Sequence, residues 1–426
     1  MHQALSKDKS LLEGVSRVNA DRMAMELDPA SSNTAAFCNA RHELPAELPQ
    51  QLFRELAAEC DAEALQKIGS KGLWQGRKVK IVDGSTLLMP DTPKNQAEFP
   101  QMKNQEVGSG FPIARIVAIF SLLTGCALNL AIGPYKGKET GEHALLRQIL
   151  NCFVRGEVAL GDAYYSSYFL MATLLNMGVD FVFESHGSRI SDFRKGSRLG
   201  KFDHMIRLKR PKQPDWMSDE LYVSIPETMQ IREVAVTIET SGFRPKKIVI
   251  TTSFIDPKKQ RKFDLGELYR RRWMVELYFR AIKTTMGMEM LRSKTPDMVR
   301  KEIWIHLLAY NAIRKIILDA AVKSGKLPNQ ISFKATIQTF NHYSTLWRIQ
   351  EIDATKIYNH LLDAIIKHIV GNRPGRREPR KRKQRPKNFP LLHGSRHASK
   401  NKKKALRSRE VTVKPLIIKD KTRLRA

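Results

Sequence analysis

The most apolar stretch of the chain, Ile113 to Gly133, limits the possible folds more than any other feature. Its 21 residues match the length of a membrane-spanning helix. Arg115 and Asn129 argue against a place in a bilayer, and the Thr124-Gly125 pair is a turn signal in the middle of the stretch. The pattern therefore predicts two short buried strands joined by a tight turn, and we expect no passage of this segment through a membrane.

The segments around this hairpin alternate between strand-like and helix-like patterns. A β-branched run from Lys78 to Ser85 reaches Asp-Gly, which predicts a strand that stops at a turn. A helix with Thr140 as its N-cap is expected after the hairpin, followed by a strand over Val158–Leu160, a buried helix closed by Gly178 and a further strand. This order predicts an α/β fold in which helices flank a mixed sheet.

The net charge of the chain indicates what kind of molecule it binds. The chain has a net charge of +30, and residues 371–426 hold 21 Lys and Arg against 3 Asp and Glu. This tail therefore contains 18 of the 30 surplus charges, and we expect it to be mostly disordered. The remaining body is still basic, so the composition predicts a polyanionic partner, either nucleic acid or an anionic membrane. The four cysteines lack zinc spacing, which indicates reduced thiols in a cytosolic protein.

Two aspartates follow short apolar strands. Asp83 and Asp162 each stand where a predicted strand ends, and strand ends line the ligand crevice of an open α/β sheet. Two carboxylates side by side favour a cation between them, and Mg²⁺ prefers such oxygen ligands. Each residue also has an ordinary interpretation, because Asp83 can form a turn with Gly84 and Asp162 can cap the following helix. Asp91, in a loop between prolines, is a weaker candidate for the first ligand.

A basic helix supplies a third carboxylate. The stretch YRRRWMVELYFRAIK predicts a helix on which Tyr269, Arg272, Glu276 and Lys283 lie within an arc of about 60°, with Arg280 beside them. An ordinary surface helix with an exposed Glu276–Arg280 ion pair is the alternative. Packed on the same sheet, Glu276 would complete a set of three carboxylates. Such a set can hold two Mg²⁺ ions about 4 Å apart for chemistry at a phosphodiester, with the neighbouring bases on DNA phosphates.

The spacing of these residues resembles a known signature. Tyr269, Arg272, Glu276 and Lys283 reproduce the Tyr-Arg-Glu-Lys motif of the insertion-sequence-4 family of bacterial DDE transposases. The contexts DGSTLLMPDTPKNQAEFPQ and GDAYYSSYFL around the two aspartates, and WIHLLAYNAIR after the glutamate, are similar to that family as well. The similarity extends over roughly residues 5–390.

The resemblance implies a ribonuclease H-like core in which Asp83, Asp162 and Glu276 are the catalytic triad and the metal ligands. It implies dependence on two Mg²⁺ ions, with Mn²⁺ as a substitute, and cut-and-paste movement by hydrolysis at element ends and strand transfer into target DNA. The implied DNA-binding side chains beside the cleaved strand are Tyr269, Arg272, Lys283, Arg280 and Trp273. Some relatives cleave through a hairpin with a flipped base stacked on an aromatic, for which Trp273 or Phe254 is available.

The resemblance also implies partners and a domain plan. The partners are double-stranded DNA, as element terminal repeats and as target, and a second copy of the chain in a synaptic homodimer. The expected compartment is the bacterial cytoplasm, at the nucleoid. The expected regions are a helical DNA-end-binding region at 1–72, the catalytic core at 73–184 and 262–322, a β-rich insertion at 185–261, a helical region at 323–370 and the basic tail at 371–426.

Two other functions use the same features. A structure-specific nuclease on the same core would need the same three carboxylates and two metals. A transposase relic without catalysis would keep only the positive charge that holds DNA. A strand-transfer assay on paired element ends separates the first from a transposase.

Overall fold

A large mixed sheet organises the chain. The computed structural model describes residues 2–6, 8–102, 106, 108–238, 246–348 and 353–370, so the basic tail lies outside the described residues. The strands in those ranges are β1 Val79–Leu88, β2 Ile113–Ser121, β3 Ala127–Pro134, β4 Val158–Gly161, β5 Asp180–Glu184, β6 Ser197–Gly200, β7 Asp203–Lys209, β8 Thr228–Ile238 and β9 Lys246–Thr252. They form one sheet in the order β3-β2-β1-β4-β5-β9-β8-β7-β6.

Helices cover this sheet and precede it. They are α1 His2–Leu5, α2 Leu11–Ala24, α3 Thr34–Glu43, α4 Glu47–Ile68, α5 Pro93–Glu98, α6 Glu142–Arg147, α7 Tyr168–Asn176, α8 Asp219–Ser224, α9 Lys262–Arg271, α10 Met274–Arg280, α11 Pro296–Lys323, α12 Phe333–Tyr343 and α13 Ala354–Ile366. Short 3₁₀ turns lie at Gly69–Gly72, Leu150–Cys152, Ala163–Tyr165, Pro328–Gln330 and Leu346–Arg348. Helix α4 packs along the long apolar helix α11.

The first five strands have ribonuclease H-like topology. Strands β1, β2 and β3 pair antiparallel, whereas β4 and β5 run parallel to β1 on its other side. The predicted hairpin is confirmed, because β2 and β3 are joined by a tight turn in which Gly125 has a φ of +73°. Within the described ranges, none of the helices combines the length and the apolar character that a bilayer crossing requires.

Strand β1 does not stop at Asp83-Gly84, and this prediction was wrong. The strand continues to Leu88 because β2 supplies antiparallel partners along its whole length, with Asp83 opposite Ala118. Only the parallel pairing with β4 ends near Asp83, after Ile81 pairs with Leu160. Asp83 therefore lies inside a strand, at the point where one of its two neighbours has ended.

The β-rich insertion extends the same sheet. Strand β9 pairs antiparallel with β5, and β8, β7 and β6 follow outward as an antiparallel meander. Arg232 on β8 is fully buried and donates two hydrogen bonds of 2.8 and 2.6 Å to Asp203 on β7. This bidentate pair satisfies a buried charge where the outer strands approach α9.

Alternation along β1 assigns its residues to two faces. Ile81 and Leu87 join the core beneath α10 and α11, and Val82 joins the core beneath α6 and α7. Leu160 on β4 belongs to the α10 side. By the same alternation, Asp83 and Asp162 face the side on which α10 packs, and Gly84 faces α6.

Two predicted helices differ from their patterns. The helix expected to start at Thr140 begins instead at Glu142, with Gly141 as its extended N-cap, and it is short. The single helix expected over 269–283 is divided, because Arg272 and Trp273 form a tight turn between α9 and α10 with hydrogen bonds to the third residue back. A π-helical turn, Ala281–Thr285, then holds Lys283. Both departures lie beside the candidate site, where tertiary packing overrides the local pattern.

Candidate active site

Asp83 and Asp162 are neighbours on adjacent parallel strands. Ile81 pairs with Leu160, so two residues further along Asp83 comes level with Asp162. The Asp83 carboxylate accepts a hydrogen bond of 2.9 Å from the Gly84 backbone amide. Asp162 caps the 3₁₀ turn Ala163–Tyr165 and accepts from the Tyr164 amide at 2.9 Å. The capping role that was the ordinary interpretation of Asp162 is thus present, and it fixes the carboxylate beside Asp83.

The ionisation of Asp83 is disturbed by its surroundings. Burial, together with the negative charge of Asp162, raises the pKa of Asp83 to about 7, against the opposing effects of the Gly84 amide and Arg272. A carboxyl that resists ionisation without a cation is suited to hold one, because a divalent ion removes the repulsion.

This shift predicts a pH-dependent stability of the metal-free protein. The folded-state pKa of Asp83 lies above the unfolded value, so ionising this carboxyl as the pH rises from about 4 through 7 destabilises the fold. Asp83→Asn removes that cost, and we expect it to raise the melting temperature in EDTA at pH 8 by roughly 2–5 °C. At pH 5 the difference should be less than half as large, because the folded-state carboxyl is still mostly protonated there. Thermal unfolding at the two pH values measures it, and an equal effect at both would contradict the shifted carboxyl.

Arg272 connects the three predicted acids. It is half-buried at the turn between α9 and α10, and its guanidinium donates to Glu276 at 3.3 Å. Burial acts to lower the pKa of Arg272, but the surrounding acidic groups, among them Asp83 and Asp162, raise it overall. One cation therefore faces both aspartates and the glutamate.

Glu276 is oriented by its own helix turn. Its carboxylate accepts from the Trp273 indole nitrogen at 2.6 Å as well as from Arg272, and its side chain is 52 % exposed. Its ion-pair partner is thus Arg272 and not the Arg280 of the surface-helix interpretation. Across the described residues, no group of three or more His, Cys, Asp and Glu side chains is arranged to hold a metal ion. Glu276 is linked to the aspartates through Arg272.

The other predicted DNA-binding residues surround this cluster. Tyr269 is buried and donates from its hydroxyl to Glu184 at 2.7 Å. Lys283 donates to the Ser85 hydroxyl at 3.1 Å, two residues beyond Asp83 on the same face of β1. Trp273 is 42 % exposed, and Arg280 lies exposed at the end of α10.

The alternative residues lie elsewhere. Asp91 precedes α5 and accepts from Gln96 at 2.9 Å. Phe254 is buried against Trp74, so it presents no open ring face.

Two acids of the site were not predicted. Glu184 ends β5 and accepts from Tyr269, and it could have been found by extending the rule of acids at strand ends to the next strand. Glu142 begins α6 and accepts from the Tyr165 hydroxyl at 3.1 Å. From the sequence, Glu142 could be recognised only as an acid in the first turn of a helix. Its place against β1 depends on the tertiary fold.

The residues present fit divalent cations. The donors are carboxylates, the ligand type that Mg²⁺ and Mn²⁺ accept, and the raised pKa of Asp83 reflects an uncompensated pair of acids after burial. The Glu276 carboxylate is instead engaged with Arg272 and Trp273.

Comparison with known proteins finds one matching family model and several similar proteins. A family model described as the transposase DDE domain matches residues 74–312. The chain is similar to transposase InsG for insertion sequence element IS4 of Escherichia coli (strain K12), with 28% identity over 369 residues that cover 84% of this chain and 78% of that relative. Among solved structures, the piggyBac transposase synaptic complex with hairpin DNA has 11% sequence identity and a TM-score of 0.37, covering 67% of this chain and 57% of that one.

Proposed function

This chain belongs to the transposase DDE domain family, within the insertion-sequence-4 group, and we propose that it cleaves and joins DNA at the ends of a bacterial insertion sequence. In this proposal it hydrolyses phosphodiesters at the element ends with divalent metal, then transfers the freed strand ends into target DNA. The observation that supports it best is the pair Asp83 and Asp162, level on adjacent strands beneath Arg272.

Asp83, Asp162 and Glu276 would hold the metal. When bound, two Mg²⁺ ions, or Mn²⁺ in their place, activate an attacking oxygen and stabilise the leaving oxygen of a phosphodiester. Asp83 would offer a ligand from within β1, Asp162 a second directly after β4, and Glu276 a third from α10.

The basic residues would position the strand. Arg272 presents a planar guanidinium, which suits a phosphate, and its place next to both aspartates brings that phosphate to the metal ligands. Lys283 and Tyr269 approach the same face from the π turn and from α9. Trp273 lies exposed at the N-terminal end of α10, and Arg280 lies exposed at its C-terminal end. Both would extend the contact along the DNA.

The proposed function requires two kinds of partner, DNA and a second copy of the chain. Double-stranded DNA is the expected polyanion, as element ends bound by residues 1–72 and as target. A homodimer would bring two ends together in a synaptic complex, and the reaction would take place at the nucleoid in the cytoplasm.

A cleavage assay tests the function. Purified protein is incubated with DNA that contains the element's terminal sequence and its flank, in Mg²⁺ or in EDTA, with Asp162→Asn as the control. Nicks at the element boundary that need Mg²⁺ and Asp162, followed by joining to a target plasmid, are expected. Boundary-independent nicking without joining would indicate a structure-specific nuclease, and binding without nicks would indicate a relic.

The tail gives a separate prediction. Deleting residues 371–426 removes 21 cationic side chains, and we expect lower DNA affinity with a shallower dependence of log Kd on log salt concentration, because fewer counterions are released. Specificity for the element end should not fall. Fluorescence anisotropy between about 50 and 200 mM salt measures the slope. A full-length variant with Gln in place of the tail's Lys and Arg should match the deletion, and an unchanged slope would rule out tail contacts.

A further inference from the structure

Glu142 reaches the two aspartates from behind the sheet. A Cβ atom at Gly84 would lie 2.2 Å from the carboxyl carbon of Glu142 and 2.5 Å from each of its oxygens. The carboxylate therefore occupies the space that any side chain at position 84 would fill. Gly84 follows Asp83 directly and faces the opposite side of the sheet, so the missing side chain lets a negative charge approach the back of the site.

The same carboxylate also contacts the turn that holds Asp162. The Tyr165 hydroxyl donates to Glu142 at 3.1 Å, and Tyr165 is fully buried at the end of the turn that Asp162 caps. One side chain thus touches both segments that position the aspartates.

We propose that Glu142 is a positioning residue of the catalytic centre whose negative charge, admitted by Gly84, strengthens the binding of divalent cations to Asp83 and Asp162. This inference rests on the proposed function, since it assumes that the aspartates hold the metal. Glu142 does not itself touch the metal in this view. It acts through the field at the aspartates, which falls off slowly in a half-buried environment of low effective dielectric.

Three variants separate charge from structure. Glu142→Gln removes the charge and keeps an oxygen that accepts from Tyr165. Tyr165→Phe removes the hydrogen bond and keeps the charge. Gly84→Ala adds a methyl group where the carboxylate lies, so the flexible end of Glu142 must move away. The charged side chains of Glu142 and Asp83 are both kept in this variant.

Mn²⁺ is titrated into each full-length variant, and free Mn²⁺ is measured by electron paramagnetic resonance. The site is defined as the binding that Asp83→Asn abolishes. For Glu142→Gln we expect the Kd to rise about three- to tenfold, with a similar rise for Gly84→Ala. Tyr165→Phe should stay within about twofold, and the Mg²⁺ concentration for half-maximal nicking should follow the same order.

The outcomes decide between a charge effect and a packing effect. A wild-type Kd for Glu142→Gln, or an equal rise for Tyr165→Phe, would overturn the proposal in favour of a structural role. If Gly84→Ala fails to fold in thermal unfolding, the comparison of Glu142→Gln with Tyr165→Phe still decides. If Asp83→Asn binds Mn²⁺ as the wild type does, the aspartates are not the metal site, and the proposed function fails independently of Glu142.

Discussion

Glu276→Gln is expected to reduce strand cleavage by at least about a thousandfold while leaving DNA binding intact, because metal-assisted activation supplies much of the barrier reduction. The substitution keeps the shape of the side chain and one oxygen that can accept from Trp273 or Arg272. It removes the charge that would hold a divalent cation. Binding should tighten slightly, since one negative charge near the DNA phosphates is lost.

Nicking rates and affinities, measured on the same end-containing DNA, separate this role from a surface ion pair. A pair at a half-exposed helix surface stabilises a protein by only a few tenths of a kcal/mol, and its loss would leave cleavage normal. Glu267→Gln is the matched control, because Glu267 lies one helix earlier and pairs with Arg270 at an exposed position. Cleavage by Glu276→Gln equal to that of this control would exclude Glu276 from the metal site.

Arg272→Ala is expected to reduce cleavage about a hundredfold, with a much smaller loss of overall DNA affinity. Removing one preorganised donor from a site of developing charge typically has an effect of this size. Arg272 pairs with Glu276 and interacts electrostatically with Asp83 and Asp162, so its removal takes away a cation beside the three acids and, under the proposed function, a phosphate contact. Arg272→Lys should recover only part of the rate, because an ammonium group cannot make two parallel hydrogen bonds to a phosphate.

Arg270→Ala provides the control for charge alone. Arg270 lies two residues earlier on α9 and pairs with Glu267 away from the aspartates. The Arg272 variant should also raise the pH at which cleavage is half-maximal, because the charge that lowers the pKa of Asp83 is gone. If the two alanine variants had the same cleavage rate and pH profile, Arg272 would be a general DNA contact and no part of the site.

Local patterns along the chain were enough to predict the class of fold and to select the three acids on which the proposal rests. Short apolar runs, a turn in the middle of Ile113–Gly133 and the order of strands and helices sufficed for a mixed sheet, because burial periodicity is a local property. The spacing from Tyr269 to Lys283 identified the family only together with the sequence contexts of both aspartates and the β-rich insertion, and the family model and the similarity to InsG confirm that identification.

The path of β1 through the site depends on long-range strand pairing. Asp83-Gly84 has the local signal of a turn, yet the chain stays extended there because β2 continues to pair with it. The two-residue break before α10 and the π turn at Lys283 are likewise not encoded by the helical periodicity of the stretch.

Glu142 and Glu184 illustrate the same division. Neither glutamate belongs to a sequence motif that includes the aspartates. Glu142 accepts from Tyr165, 23 residues further along the chain, and Glu184 accepts from Tyr269, 85 residues further along. Such contacts depend on which strands become neighbours and on a glycine that leaves room for a carboxylate. A local pattern can predict that an acid begins a helix, but its position behind Asp83 is fixed only when the sheet has formed, because that position is defined by long-range strand pairing.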